Sequence, residues 1–116
     1  MIFAPDFSQK WIDAWNGRDL DALLSLYAET IQLRSPFAKV YAKDGTIRSK
    51  AELREYWGEA MRRMPNLKLA LVACYSGHHA LALHYRDDSG RNCIETMLFD
   101  AHDKVVFETA CLDRLR

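Results

Sequence analysis

Residues Asn92–Leu112 read NCIETMLFDAHDKVVFETACL, two apolar runs around the polar centre Asp100-Ala101-His102-Asp103. Runs rich in Ile, Val, Thr, Phe and Leu on either side of a short polar break predict a β-hairpin. With Ala101 and His102 as the central turn residues, Phe99 faces Lys104, Met97 faces Val106 and Glu95 faces Glu108. Directly opposed residues share a sheet face, with Cβ atoms roughly 5 Å apart. That face carries Cys93, Glu95, Met97 and Phe99 on one strand and Val106, Glu108, Ala110 and Leu112 on the other. Two like charges opposed on a largely apolar face are costly. Burial and mutual repulsion both penalise ionisation, so one carboxyl is expected to keep its proton well above its solution range. Such a pair titrates as a unit and holds one acid and one base, the arrangement that general acid–base catalysis needs. The competing reading puts a basic side chain such as Arg34 or Arg48 between the two, or places them at a rim in water. A bulge at the turn would shift the register and remove the facing pair.

Length and composition bound the rest. A chain of 116 residues fits one domain, residues 1–116, and at 49% hydrophobic residues it can bury a substantial core. The 16 basic and 16 acidic residues cancel. That balance argues against nucleic acid or an anionic membrane surface as the main partner, because both select basic patches. The three cysteines, Cys74, Cys93 and Cys111, lack CxxC spacing, which argues against a disulfide framework or a zinc site and for reduced thiols in a cytoplasmic protein. The N-terminal MIFAPDFSQK has neither a basic segment nor a long apolar one, so no signal peptide is expected. No run approaches the roughly 18 apolar residues of a membrane span.

In chain order, Pro5-Asp6 opens a helix in which Asp6 and Gln9 resemble a capping box. Phe7, Trp11 and Trp15 form an aromatic stripe on it, and Asn16-Gly17 stops it. Asp19 caps a second, shorter helix with Leu20, Leu23, Leu24 and Tyr27 on its buried face. Ile31, Leu33 and Ser35 alternate with Gln32 and Arg34 as a short strand ended by Pro36. Residues 37–48 show no period and contain the turn signal Asp44-Gly45, so an irregular loop or short hairpin is expected there. Ser49 and Glu52 cap a third helix running to about Met64, with Leu53, Tyr56, Trp57, Ala60 and Met64 on one face. From Leu67 the period becomes two. Leu67, Leu69, Leu71, Ala73 and Tyr75 share a face, and after a turn at Gly77-His78 so do Leu81, Leu83 and Tyr85. The fold class is α+β, with helices covering one face of a strongly curved, mainly antiparallel sheet. The other face of the last strands is also apolar, with Ile94, Leu98, Val105, Phe107 and Cys111. Antiparallel sheets usually solvate one face, so a homodimer through the outer sheet face is expected, with His84 at that interface.

The stretches WNGRDLDALLSLYAETIQLRSPF, GTIRSKAELREYW and DKVVFETACL together resemble the nuclear-transport-factor-2-like superfamily, in its SnoaL-like and ketosteroid-isomerase-like branch. The resemblance covers nearly the whole chain. It implies a cone-shaped curved antiparallel sheet wrapped by three helices of the N-terminal half around an apolar pocket. It also implies a small hydrophobic molecule as partner and isomerase, dehydratase, cyclase or epoxide-hydrolase chemistry, or binding alone. In ketosteroid isomerases the general-base Asp at the end of the first strand corresponds to Ser35 here, the oxyanion-donating Tyr of the first helix to Trp11, and the protonated Asp of the penultimate strand to Glu95. One acid is thus retained while the base and the phenol are missing, which the resemblance sets against steroid isomerisation.

The candidate site is therefore Glu95 and Glu108 as acid and base, with Ser35 as a hydrogen-bonding donor. Trp11, Trp15, Tyr27, Phe37, Tyr56, Trp57 and Met97 line the cavity, with Tyr41 nearby. His78-His79 fall in a turn and His102 at a hairpin tip, and the four histidines lack HxxxH or HxH spacing, so no metal is expected. No GxGxxG, P-loop or GxSxG occurs, and no cofactor is expected. The expected function is cofactor-free acid/base chemistry on a small, largely apolar metabolite. The alternative is a non-catalytic ligand-binding or dimerisation module with the cone filled by Trp11, Trp15, Trp57 and Phe37.

Overall fold

The structure is a computed structural model and describes residues 2–115. Helix α1 spans Ala4–Asn16 and buries Phe7, Trp11, Ala14 and Trp15, the predicted stripe. Its start differs from expectation. Pro5 occupies the first turn, where its missing N–H costs nothing, so the helix begins before Asp6 and no side chain caps it. Asp6 faces the positive end of the helix dipole from within the first turn. Gln9 Nε2 donates to Asp13 Oδ1 (2.8 Å) instead of closing a box. Helix α2, Leu20–Leu24, is capped by Asp19, whose Oδ1 accepts from the Ala22 N–H (3.1 Å). Tyr27 does not belong to its face: it opens strand β1, Tyr27–Arg34, with its ring fully buried.

The aperiodic stretch contains a short 3-10 turn, Pro36–Val40, and a two-residue strand β2, Thr46–Ile47. Ser35 Oγ accepts from the Phe37 N–H (3.2 Å) and caps the turn. Gly45 has φ +70°, and a Cβ there would lie 3.3 Å from the Ser35 carbonyl, so the Asp44-Gly45 signal marks a backbone that only glycine enters without strain. Helix α3, Lys50–Arg63, starts at Ser49, whose Oγ accepts from the Glu52 N–H (3.1 Å). It buries Leu53, Trp57 and Met61. Met64 lies past its end with a non-helical backbone and is exposed rather than buried.

Strands β3 (Leu69–Gly77), β4 (Ala80–Asp87), β5 (Asn92–Phe99) and β6 (Val105–Leu112) complete a six-stranded sheet of order β2-β1-β6-β5-β4-β3. All neighbours are antiparallel except β1 and β6, which are parallel. Helix α1 packs on β3 and α3 on β1, so the helices close a curved sheet into the expected cone. No helix among the described residues is long and apolar enough to cross a membrane.

Two irregularities in the antiparallel pairs break the period of two, besides one between Tyr27 and Gln32 in the parallel pair. In β3, Leu71 pairs with Tyr85 but Ala73 with His84, leaving Val72 as an extra residue. The faces exchange there. Leu69 and Leu71 point to the core, Cys74 follows them inward, and Tyr75, expected on the Leu69 face, is 63% exposed on the outside. In β6, Val105 pairs with Phe99 and Phe107 with Leu98, leaving Val106 extra. Val105 is therefore a buried core residue, not part of the outer face. The turn is longer than two residues. Asp100 Oδ1 accepts from the N–H groups of His102 (2.9 Å) and Lys104 (3.0 Å), and Asp103 adopts φ +59°. The turn and the Val106 bulge each move the register by one residue, two in all. Glu95 faces Ala110, and Met97 faces Glu108, so the predicted Glu95–Glu108 facing pair does not form. A shift of two preserves the face, and both carboxyls still point into the core as diagonal neighbours.

Asn16, at the end of α1, clamps the first residue of the edge strand β3. Its Nδ2 donates to the Leu69 carbonyl (2.9 Å) and its Oδ1 accepts from the Leu69 N–H (2.8 Å). Asn16→Ala is expected to lower unfolding stability in urea by about 1–3 kcal/mol, because both backbone groups lose a part-buried partner. Asn16→Asp, which keeps only the acceptor, should fall between the two.

Candidate functional site

The cone encloses a cavity of about 410 Å³ that opens at one end. Of the predicted site residues, Trp11, Trp15, Ser35, Phe37, Tyr56, Trp57 and Glu95 line it, as does Tyr41. Tyr27, Met97 and Glu108 do not: they are fully buried behind the wall. The aromatic wall is a continuous set of ring contacts. Trp15 meets Trp57 edge-on at 5.4 Å, Tyr27 meets Trp57 at 5.1 Å, and Trp11 lies 5.4 Å from Tyr85. These rings pack against one another at the wall rather than filling the space. Tyr85 and Cys93 also line the cavity and were missing from the predicted site, although their places on the Leu81–Tyr85 and Cys93–Phe99 faces pointed there. Asp87, Arg91 and Arg63 line it too, and no sequence signal marked them.

Behind the wall runs a buried hydrogen-bonded chain. Trp11 Nε1 donates to the Tyr27 hydroxyl (2.8 Å), and that hydroxyl donates to Glu108 Oε1 (2.5 Å). An indole N–H can only donate, so the direction of the chain is forced. Tyr27 accepts from Trp11, and its own proton goes to Glu108. Glu108 Oε1 is therefore an acceptor, and a proton held by Glu108 sits on Oε2. That atom has no well-formed hydrogen bond among the described residues. The Glu95 carboxyl is nevertheless close enough to act on Glu108 through both its charge and a shared hydrogen bond. Burial, then the Glu95 charge and hydrogen bond, hold Glu108 well above the ordinary carboxylate range, against a smaller opposing pull from Tyr27. Arg34 and Arg48 do not neutralise the pair. Arg34 stacks over Phe107 (5.6 Å), on the outer face, and Arg48 bonds Asp44 (2.6 Å).

Glu95 is the member of the pair that reaches the cavity. Its Oε2 accepts from the Tyr85 hydroxyl (3.1 Å) and the Cys93 thiol (3.2 Å). Burial, reinforced by the charge of Glu95, raises both Tyr85 and Cys93, so they remain protonated donors. Burial pushes Tyr56 up to about 12, with a hydrogen bond from Ser35 in opposition. Around Glu95 the cavity thus presents the Cys93 thiol and the Tyr85 phenol, with Tyr56 and Ser35 on the same lining. Among the described residues no three His, Cys, Asp or Glu side chains stand together as metal ligands.

The cone is the fold of a known class. The chain belongs to the SnoaL-like domain family, whose sequence profile matches residues 8–110. Among solved structures, a SnoaL-like protein of unknown function from Burkholderia thailandensis shares 37% identity, covers 95% of this chain and 93% of its own, and superposes with a TM-score of 0.89. More distant ones share the fold. They include a SnoaL-like protein of Agrobacterium tumefaciens proposed to be an isomerase (12% identity, 95% and 97% coverage, TM-score 0.75). They also include IdmH of Streptomyces antibioticus, proposed to be a polyketide cyclase (15% identity, 94% and 91% coverage, TM-score 0.77). No curated protein matches the chain.

The raised Glu108 has a thermodynamic signature. Below the ordinary carboxylate range the group is protonated in both folded and unfolded chains and contributes no pH dependence. As pH rises through that range the unfolded chain ionises while the folded chain keeps its proton, so stability falls, by up to about 1.4 kcal/mol per pH unit, until the folded group ionises. Glu108→Gln should remove this slope, giving a variant whose urea stability declines less between about pH 5 and about pH 8. Parallel slopes for wild type and variant are the contrary result.

Proposed function

We propose that the chain binds a small, largely apolar molecule with a carbonyl or hydroxyl group and moves a proton on it without a cofactor, as an isomerase, dehydratase or cyclase does. One observation carries this: Glu95 enters an open, aromatic-walled cavity while a second, proton-holding carboxyl, Glu108, backs it. Two buried carboxyls with no basic partner between them are costly to keep for stability alone. Glu95 takes a proton from the ligand and returns it at a second position. Glu108 does not touch the ligand. It is a positioning residue that holds Glu95, and Tyr27 and Trp11 hold it in turn. Tyr56 is the donor for oxygen charge that develops on the ligand, since its own hydroxyl accepts from Ser35 and keeps its proton free. The solved structures proposed to be an isomerase and a polyketide cyclase support the same reaction class by analogy of fold.

The test is exchange of ligand α-protons for deuterium, followed by NMR on molecules first selected by thermal shift. Glu95→Gln should keep binding and lose roughly 10²–10⁴-fold in exchange rate. Tyr56→Phe should slow exchange with little change in affinity. Unchanged exchange in Glu95→Gln removes Glu95 as the proton carrier, and binding without any exchange in wild type selects the non-catalytic module.

We further propose a homodimer through the outer sheet face. Tyr75, Ile94 and Leu98 are 63%, 36% and 44% exposed there, beside Phe107. An apolar patch of this kind on a sheet face is costly to leave in water. Sedimentation should give a dimer for wild type and a monomer for Leu98→Glu. A monomeric wild type at micromolar concentration rejects this interface.

A further inference from the structure

The cavity mouth is built differently from its interior. Asp87, the last residue of β4, and Arg91, just before β5, both line it. Asp87 Oδ1 accepts from the Ser89 N–H (2.9 Å), the Ser89 hydroxyl (2.7 Å) and the Arg91 N–H (3.0 Å). Its Oδ2 takes Arg91 Nε (3.1 Å) and lies 3.0 Å from Arg91 Nη2. The pair is well shielded, with 21% of the Arg91 side chain and 10% of the Asp87 side chain exposed. From the opposite side of the opening, the Phe37 ring packs under the guanidinium at 4.6 Å. One edge of the guanidinium is thus held by Asp87 and one face by Phe37. Among the described residues Nη1 makes no hydrogen bond. Fixed on two sides, Arg91 keeps a donor edge for something that is not part of the turn.

The charge pattern sets the direction in which a ligand enters. The inner end carries Glu95 with Glu108 behind it, which repels an anion. The mouth carries Arg91 and Arg63, each paired with a carboxylate that also lines the cavity, Asp87 and Glu59, and of these Arg91 is the one held on two sides with a donor edge left over. The walls between are aromatic. From this polarity we infer that the cavity selects flat, largely apolar molecules that carry a carboxylate. The carboxylate rests on Arg91 at the mouth, and the carbonyl or hydroxyl end points to Glu95. Arginine is suited to this task because its planar donor set matches a carboxylate, and the partial desolvation at the mouth strengthens the charge-assisted bond. Arg91 is thereby a specificity-determining residue. The inference rests on the ligand-binding reading of the cavity given above.

The experiment compares 2-naphthoate with 2-naphthamide, which has nearly the same shape without the charge, by tryptophan fluorescence titration of the full chain. Wild type should bind the carboxylate at least about tenfold more tightly, and added salt should weaken the carboxylate alone. Arg91→Gln should lose the preference while holding the amide as before, with an unchanged circular dichroism spectrum. Equal affinity of wild type for the two probes overturns the inference and leaves the proton-transfer reading standing, to be judged by Glu95→Gln. A preference that survives Arg91→Gln also overturns it, and binding of neither probe at millimolar concentration removes the cavity reading itself. The comparison within wild type needs no variant, so a poorly folding Arg91→Gln does not blunt the test.

Discussion

The bond from the Tyr27 hydroxyl to the buried Glu108 carboxyl is the constraint on which this structure turns. It joins β1 to β6, the parallel pair in the centre of the sheet. It also ties Trp11 of α1 into the same line through the indole N–H. A carboxyl with no access to water must be neutral or well supplied with donors. Here one donor is supplied and the remaining oxygen is left beside another acid. Burial and the neighbouring Glu95 together hold this carboxyl well above the ordinary carboxylate range. The aromatic core is therefore more than packing: Trp11 and Tyr27 carry a line of hydrogen bonds to the buried acid.

The division between wall and backing explains why so few of the lining groups are charged. Glu95 receives donors from Tyr85 and Cys93, each held in its neutral form by burial. A carboxyl surrounded by neutral donors keeps a fixed orientation without an opposing cation. The cations appear only at the opening, where they are paired and partly wet. That gradient, from buried acid to neutral donors to paired guanidinium, is the electrostatic axis of the molecule.

Much of this was legible in the residues, and the failures have definite causes. That Glu95 and Glu108 share a face followed from alternation, because a register error of two residues leaves every side chain on its face, while their inward aim came from the family resemblance, since both faces of the hairpin are apolar. Their opposition did not follow, because Asp100 bonds two backbone N–H groups and lengthens the turn by one residue, and the Val106 bulge adds a second, neither of which shows in a count of residues. Val72 and Val106 are ordinary strand residues, and nothing in their chemistry announces a bulge, so Tyr75 and Val105 were assigned to the wrong faces. Tyr27 fits both a helical and a strand pattern, and tertiary packing on Trp57 decided between them. Ser35 was expected as a donor to ligand, and part of its capacity is spent capping a turn. Arg91 and Asp87 read as one more polar turn. Only the approach of Phe37 from a segment distant in sequence turns them into the rim of a site.

The sheet order has a consequence for how the molecule is made. Strand β6 lies between β1 and β5, so the strand translated last fills the middle of the sheet rather than its edge. Until it is in place β1 has no partner but the two-residue β2, and the hairpins β3–β4–β5 have no closing strand on their inner side. A nascent chain lacking residues 105–112 thus holds two half-sheets with bare edges and an apolar interior, the condition in which strands find wrong partners. The sheet therefore closes only once residues 105–112, which carry Glu108, take their place between β1 and β5. The Ala110 and Leu112 part of the cavity wall, and the buried Glu108 behind it, are completed in that same closing step.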